Sequence, residues 1–390
     1  MRMARIFLLV FSMEANSQPV FKTILRMPDT GVITSYTATF GEDCDYQINP
    51  PLLSLFNDKI IYDSITGLMW QRLDGGEMTY ENAILYCDTL QLGSYSDWRL
   101  PSPLEALSIL NLQMNNPALD TQFFTKTNAE YWWTSQRQIN DSSKIWVTNS
   151  GGGIGNHLKT ETISAGGLKR FHIRAVRSHV PPLFLNNHFI SNNGTTHDIL
   201  TDLVWTSQAS MDTLTWEQAL AYADTLQVGG YNDWRLPNIK ELRSISLESR
   251  MNPSTDPNYF IGTSLGRFWS STTLRGQALK AWYLNTQFGI TTYDLKSSRL
   301  QVYCVRNSSS SSSINQISTS EFKVFPNPFE NFIHIQSAEF PLTYKILDPH
   351  GRTVMNGQTE YEITTGSLAP GIYFLWLESV PQSIQKLIKK

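Results

Sequence analysis

The chain has 390 residues, of which 41% are apolar, 17% charged and 12% aromatic. That length accommodates two or three domains, each with its own core. A formal charge of −3 supplies no cationic field, so neither nucleic acid nor an anionic membrane surface is an expected partner.

At the N-terminus, Arg2 and Arg5 flank the start of the short apolar stretch Ile6–Met13, which leads to the small-x-small triplet Ala15-Asn16-Ser17. This is the pattern of a cleaved secretory signal peptide over residues 1–17. Residues 18–56 follow as a leader segment. No later stretch approaches the ~20 apolar residues of a membrane span, so no transmembrane segment is expected.

A long internal duplication comes next. Asp63-Ser-Ile-Thr-Gly-Leu-Met-Trp70 answers Asp198-Ile-Leu-Thr-Asp-Leu-Val-Trp205, and Gly93-Ser-Tyr-Ser-Asp-Trp-Arg-Leu-Pro-Ser102 answers Gly229-Gly-Tyr-Asn-Asp-Trp-Arg-Leu-Pro-Asn238. An offset of 136 also pairs Trp133 with Trp269, Trp146 with Trp282 and Gly153 with Gly289, and the closing Val-Arg recurs at Arg177 and Arg306. So long a period excludes a solenoid and predicts two modules, over 57–180 and 181–306. In each, apolar residues at helical spacing after Thr79 and Thr215 predict a first helix. Thr215-x-x-Gln218 is a capping box. A second short helix follows the Asp-Trp-Arg-Leu-Pro segment, and alternating pieces such as "KIWVT" and "KAWYL" predict strands. The expected class is α+β.

A Ser-rich linker spans 307–320. In the last segment, 321–390, period-two strands are separated by Pro-Asn-Pro, Pro-His-Gly and Ala-Pro-Gly turns, which predicts an all-β, immunoglobulin-like sandwich of about seven strands.

Two resemblances follow from these motifs. Phe325-Pro-Asn-Pro328, Asp348-Pro-His-Gly351, Leu368-Ala-Pro-Gly-Ile-Tyr373 and Lys386-Leu-Ile-Lys-Lys390 make the tail similar to the C-terminal sorting domain of type IX secretion cargo. That resemblance implies a partner, the type IX machinery engaged through 321–390, and export to the surface of a Gram-negative bacterium or secretion from it. Thr66-Gly-Leu-Met-Trp70, Tyr95-Ser-Asp-Trp-Arg-Leu-Pro101 and the closing Val-Arg make each repeat similar to the Lcl C-terminal-like domain family. This resemblance implies a C-type-lectin-like fold and a distant likeness to the sulfatase-modifying group.

Candidate functional residues divide into structural and exposed sets. Ser102-Pro-Leu-Glu105 and Asn238-Ile-Lys-Glu241 are capping boxes, which gives Glu105 and Glu241 a structural job worth about 1 kcal/mol each. Asp97 and Arg99, like Asp233 and Arg235, alternate with Trp98 or Trp234, so the Trp takes one face and both charges the other. Either the Asp–Arg pair pins loops, or Arg99 and Arg235 grip an anionic ligand. Tryptophans repeated at matching positions predict core packing. Trp132 is unmatched, because Arg267–Phe268 replace Tyr131–Trp132, which makes it a candidate sugar-stacking platform.

The Gly-rich run after Asn149 lacks the spacing and following helix of a phosphate loop. Repeat one runs 24 residues from Gly153 to Arg177, whereas repeat two runs 17 from Gly289 to Arg306. The longer loop carries His157, Lys159 and Glu161 and is the expected ligand-contacting surface. Scattered histidines give no metal-ligand spacing, and no cofactor is implied. The lectin-like resemblance implies a helix-to-strand disulfide, but each repeat keeps only half of it, Cys87 in one and Cys304 in the other. Buried thiols, a Cys87–Cys304 bridge or a Cys44–Cys87 bridge remain the alternatives. The expected function is a non-enzymatic exported protein that binds a glycan or extracellular polymer. A sulfatase-modifying-like enzyme and a structural surface-assembly component are the alternatives.

Overall fold

The structure is a computed structural model that describes residues 20–163, 167, 170–180, 182–185, 187–262, 266–308, 323–336, 341–348, 353–377 and 384–390. The expected signal peptide and most of the Ser-rich linker lie outside the described residues. The described residues fall into two compact units, those within 1–21, 184–188 and 319–390 and those within 22–183 and 189–318.

In the first unit, the C-terminal segment builds two antiparallel sheets. One pairs Lys323–Phe325, Phe332–Gln336 and Glu362–Thr364; the other runs Thr353–Thr359, Leu342–Leu347, Gly371–Leu377, Ile384–Lys389 in spatial order. Period-two patterning explains the core, since Ile333 and Ile335 are buried while the intervening His334 is not. The all-β sandwich expected of this segment fits.

The second unit holds both repeats. In repeat one, a four-stranded sheet runs Leu53–Leu55, Ile60–Asp63, Leu68–Gln71, Val176–Ser178. Its central hairpin is set by Asp63, whose Oδ1 accepts from the backbone N–H groups of Ile65 and Thr66, and by Gly67 at φ +72°. Repeat two builds the same hairpin, Thr195–Asp198 to Leu203–Thr206, with Asp202 taking the left-handed position at φ +59°.

Helix α1 (Tyr80–Thr89) and helix α2 (Pro103–Ser108) of repeat one match α3 (Trp216–Thr225) and α4 (Ile239–Ser244) of repeat two. Thr79 Oγ1 accepts from Asn82 N–H, and Thr215 completes a capping box with Gln218. A second sheet follows in each repeat: Ile154–Leu158, Asp141–Asn149, Ala129–Gln138, Arg170–His172 in the first, and Arg267–Thr273, Lys280–Asn285, Ile290–Leu295 in the second.

The expected α+β, C-type-lectin-like arrangement is overturned here. Among the described residues strand far outweighs helix and is gathered into several small sheets, and each repeat shows a ten-residue and a six-residue α-helix. The physical reason is composition: outside the two capped stretches the chain alternates aromatic and β-branched residues, which satisfy sheet faces.

The repeats face each other with matched parts. A Cβ on Gly289 would stand 3.3 Å from Trp146 Cη2, and one on Gly153 would stand 3.4 Å from Trp282 Cη2, so each tryptophan lies on the other repeat's glycine. Ile154 N–H donates to Thr291 Oγ1 at 3.0 Å across the same seam. The leader fills what remains. Leu112 N–H of repeat one donates to Thr30 O, while Asn238 Nδ2 and Thr272 Oγ1 of repeat two donate to Asp29 Oδ1 and Asp43 Oδ2.

Candidate functional site

The repeated Asp-Trp-Arg-Leu-Pro segment places each side chain on a different partner. Trp98 and Trp234 are buried, 3% and 2% exposed, against the first helix of their repeat. Arg99 reaches Glu105 in a two-pronged pair, Nη1 to Oε2 and Nη2 to Oε1, both 2.7 Å. Arg235 repeats this pair with Glu241 at 2.7 and 2.7 Å. The same Glu105 Oε2 accepts from Ser102 N–H at 2.7 Å, closing the capping box. Burial alone would raise the Glu105 carboxyl, but the Arg99 guanidinium outweighs it and holds the group below its ordinary value.

Asp97 turns elsewhere. It accepts from Arg177 Nε at 2.7 Å and Nη2 at 3.1 Å, and Asp233 does the same with Arg306. Tyr95 and Tyr231 lie over those guanidinium groups at 3.9 Å. The expected Asp–Arg pair within the segment is therefore replaced by two separate pairs: one to the capping glutamate, one to the closing strand. An extended backbone sends residues two apart in the same direction, but their reach differs by a full side chain. Arg177 and Arg306 escaped the sequence reading as partners, although their matched recurrence carried the signal.

Both arginines proposed as ligand grips have their forks filled by a carboxylate. Trp132 is 6% exposed and packs in the core with Trp70 and Leu119, so its ring offers no open face to a sugar. The three cysteines are free thiols, with Cys87 and Cys304 buried. Burial pushes the Cys87 thiol up to about 12.

His157 and Lys159 stand at the surface of repeat one. His157 lies on the outer strand Ile154–Leu158, its ring 4.5 Å from that of Tyr131 and its Nδ1 3.1 Å from Glu161 Oε2. Lys159 pairs with Glu81 on helix α1 at 2.7 Å, and its carbonyl accepts from Tyr80 N–H. The structure thus brings His157, Lys159 and Glu161 together beside Tyr131. Trp132, Arg99 and Arg235 do not join them. In repeat two, Gln227–Asn232 line an open cleft of about 380 Å³ next to Tyr231.

Two charged groups had no sequence signal. In repeat one, Asp74, His172 and Arg174 cluster inside the fold, with His172 Nδ1 at 2.9 Å from Asp74 Oδ1. Between the repeats, Lys240 is fully buried and donates to the carbonyls of Asp29 and Ser108, both at 2.9 Å. Burial lowers Lys240 to about 8 and, reinforced by Asp43 and Glu241, raises Asp29 to about 8. Among the described residues, no group of three or more His, Cys, Asp or Glu is placed to hold a metal ion, and no helix is long and apolar enough to cross a membrane.

Comparison with known families agrees with this layout. The family described as the Lcl C-terminal domain matches residues 59–177 and 194–306. The secretion system C-terminal sorting domain matches residues 323–390. No curated protein matches the chain. Among solved structures, the chain is similar to PorZ, described as an essential bacterial surface component of the type-IX secretion system of human oral-microbiomic Porphyromonas gingivalis. Identity is 12%, the match covers 87% of this chain and 38% of that one, and the TM-score of 0.16 is too low to carry an argument.

Proposed function

The chain belongs to the Lcl C-terminal domain family and ends in a type IX sorting domain, and from that premise we propose that it is an exported, non-enzymatic binding protein for a glycan or extracellular polymer. The sorting domain implies export through the type IX machinery, to the cell surface or into the medium. The binding reading rests on the way the repeats use their polar groups. Arginines and acids of the repeated motif are committed to ion pairs that hold the modules together.

The residues that repeat two does not match are paired too, His157 with Glu161 and Lys159 with Glu81, but at the surface. His157, Lys159 and Glu161 stand part-exposed beside Tyr131 on the strand Ile154–Leu158 and the loop after it, which is longer than the loop of repeat two. That single observation carries the proposal: part-exposed donors and an acceptor beside Tyr131, whose ring is stacked on Phe171 at 4.8 Å, offer hydrogen bonds to sugar hydroxyls. The open cleft of Gln227–Asn232, where Arg306 covers the Tyr231 ring at 3.9 Å, offers repeat two a second polar surface, and two surfaces on one chain favour avidity.

The test is a glycan and polysaccharide array with the full exported chain, followed by calorimetry on any hit. Saturable binding that His157→Ala and Lys159→Ala together weaken at least tenfold is expected. Binding that never saturates, or that ignores both substitutions, removes this surface from the account.

A further inference from the structure

The leader meets helix α4 through charges that do not balance. Asp29, Asp43, Arg235, Lys240 and Glu241 are each at most 5% exposed. Arg235 and Glu241 neutralise each other in their two-pronged pair. Two leader carboxylates then face one ammonium, which leaves a net buried negative charge if all three ionise. A buried charge without a counter-charge is costly enough that such a group changes its protonation instead.

Other charged groups packed around them do not make up the difference. Asp63, on the hairpin of repeat one, adds a further acid and accepts from the N–H groups of Ile65 and Thr66. Arg243 of α4 pairs with Glu248 at 2.8 Å, and Glu42 of the leader turns to the N–H of Tyr36 at 2.8 Å. Lys240 itself donates to the backbone carbonyls of Asp29 and Ser108.

Hydrogen bonding decides which acid takes the proton. Thr30 bridges the two, its N–H donating to Asp29 Oδ1 at 2.7 Å and its hydroxyl to Asp43 Oδ2 at 2.9 Å. Asp43 Oδ2 also accepts from Thr272 Oγ1 at 2.6 Å, so two hydroxyls favour its charged form. Asp29 Oδ1 gains only a longer bond from Asn238 Nδ2, at 3.3 Å, and no described residue donates to its Oδ2. We propose that Asp29 holds a proton in the closed protein, and that the leader is a strap whose grip on α4 is released when that proton is lost.

The direction follows from linkage. Burial, reinforced by Asp43 and Glu241, pushes the Asp29 carboxyl from 3.8 up to about 8, and lifting the leader into water returns it to its ordinary value. The lifted state gives up its proton first, so the strap weakens as pH rises from about 4 to about 8. Asp43 rises only to about 6, and Lys240 is lowered to about 8. Between pH 6.5 and pH 7.5 the change therefore belongs to Asp29.

Hydrogen–deuterium exchange of the full chain, corrected for the intrinsic pH dependence of amide exchange, tests this. Opening of residues 27–46 should rise severalfold from pH 6.5 to pH 7.5, with about tenfold as the ceiling for one proton. Asp29→Asn, the uncharged isostere of the protonated acid, should abolish that rise and keep the leader closed at both pH values. Opening that ignores pH, or that keeps its dependence in Asp29→Asn, overturns the proposal. If the variant does not fold, the carbon-13 shift of the Asp29 carboxyl in the unaltered chain decides. A protonated group at pH 6.5 is expected, and an ionised one overturns the assignment.

Discussion

The two repeats share their motif residues and differ in the residues that do anything further. In both, the motif Trp fills the core, Arg pairs with the capping Glu, and Asp pairs with the closing Arg. Where they diverge, each has gained a separate role. Repeat two has Lys240 and Arg243 where repeat one has Leu104 and Leu107, and it uses them at the seam: Lys240 on the leader and α2, Arg243 over Trp146 at 5.3 Å. Repeat one has Trp132 and Arg174 inside and a longer loop outside, which carries Lys159 and Glu161 beside His157. Duplication preserved the scaffold, and the unmatched positions record what was divided between the copies.

Lys240 gives the largest expected effect. Lys240→Ala leaves the carbonyls of Asp29 and Ser108 unpaired and opens a hole at the seam, and it should cost about 3–5 kcal/mol in denaturant unfolding. Leu104→Ala, at the matching but half-buried position, should cost about 1–2 kcal/mol. Equal losses would mean that Lys240 holds nothing beyond its own helix.

The matched aspartates Asp63 and Asp198 come next, since both cap the same hairpin turn and burial raises both. Asp198 rises from 3.8 to about 6. Below about pH 3 it is protonated in both states and costs the fold nothing. As pH rises towards 6 the unfolded chain ionises first, so stability falls across that window and then levels, by roughly 3 kcal/mol from this one group. Asp198→Asn should flatten that part of the profile, measured by urea unfolding at pH 4.5 and pH 7. Asp63→Asn should flatten it in the same direction. A profile unchanged by either substitution would place the turn carboxylates in contact with water.

Smaller again is the glycine exchange across the seam. Gly289 has φ +70° and would bring a Cβ within 3.1–3.4 Å of Ser246, Trp146 and Ser254, whereas Gly153 lacks the positive φ. Gly289→Ala should cost about 1–2 kcal/mol and Gly153→Ala less than ~1 kcal/mol by thermal unfolding.

The sequence made the local rules readable and left the long-range pairings hidden. Capping boxes at Ser102, Thr215 and Asn238 were visible because helix ends use residues three apart. Burial of the repeated tryptophans followed from their matched spacing. The class was misjudged because two capped helices are conspicuous in a sequence, while short strands with aromatic alternation are not, and the strands dominate. The targets of Asp97 and Arg99 were hidden because their partners lie 80 residues away and in a cap already assigned to another job. Lys240 gave no signal, since a lysine after a cap normally points into water. Only assembly of the leader with both repeats buries it.

The smallest expected effect is the one that matters most for function. Lys159 and Glu81 are paired at 2.7 Å with side chains 34% and 50% exposed, and exposed pairs of this kind contribute less than about 1 kcal/mol. Lys159→Ala should therefore leave the melting temperature nearly unchanged, in contrast to Lys240→Ala, although both remove one ammonium group. That contrast separates two uses of a lysine on one scaffold. A residue whose loss unfolds the protein cannot report on ligand contact, because binding falls with the fold. Lys159 can report, because its removal alters only the surface beside His157 and Tyr131. If Lys159→Ala instead destabilises as strongly as Lys240→Ala, the long loop of repeat one is a structural brace, and the proposed polymer-binding surface loses its support there.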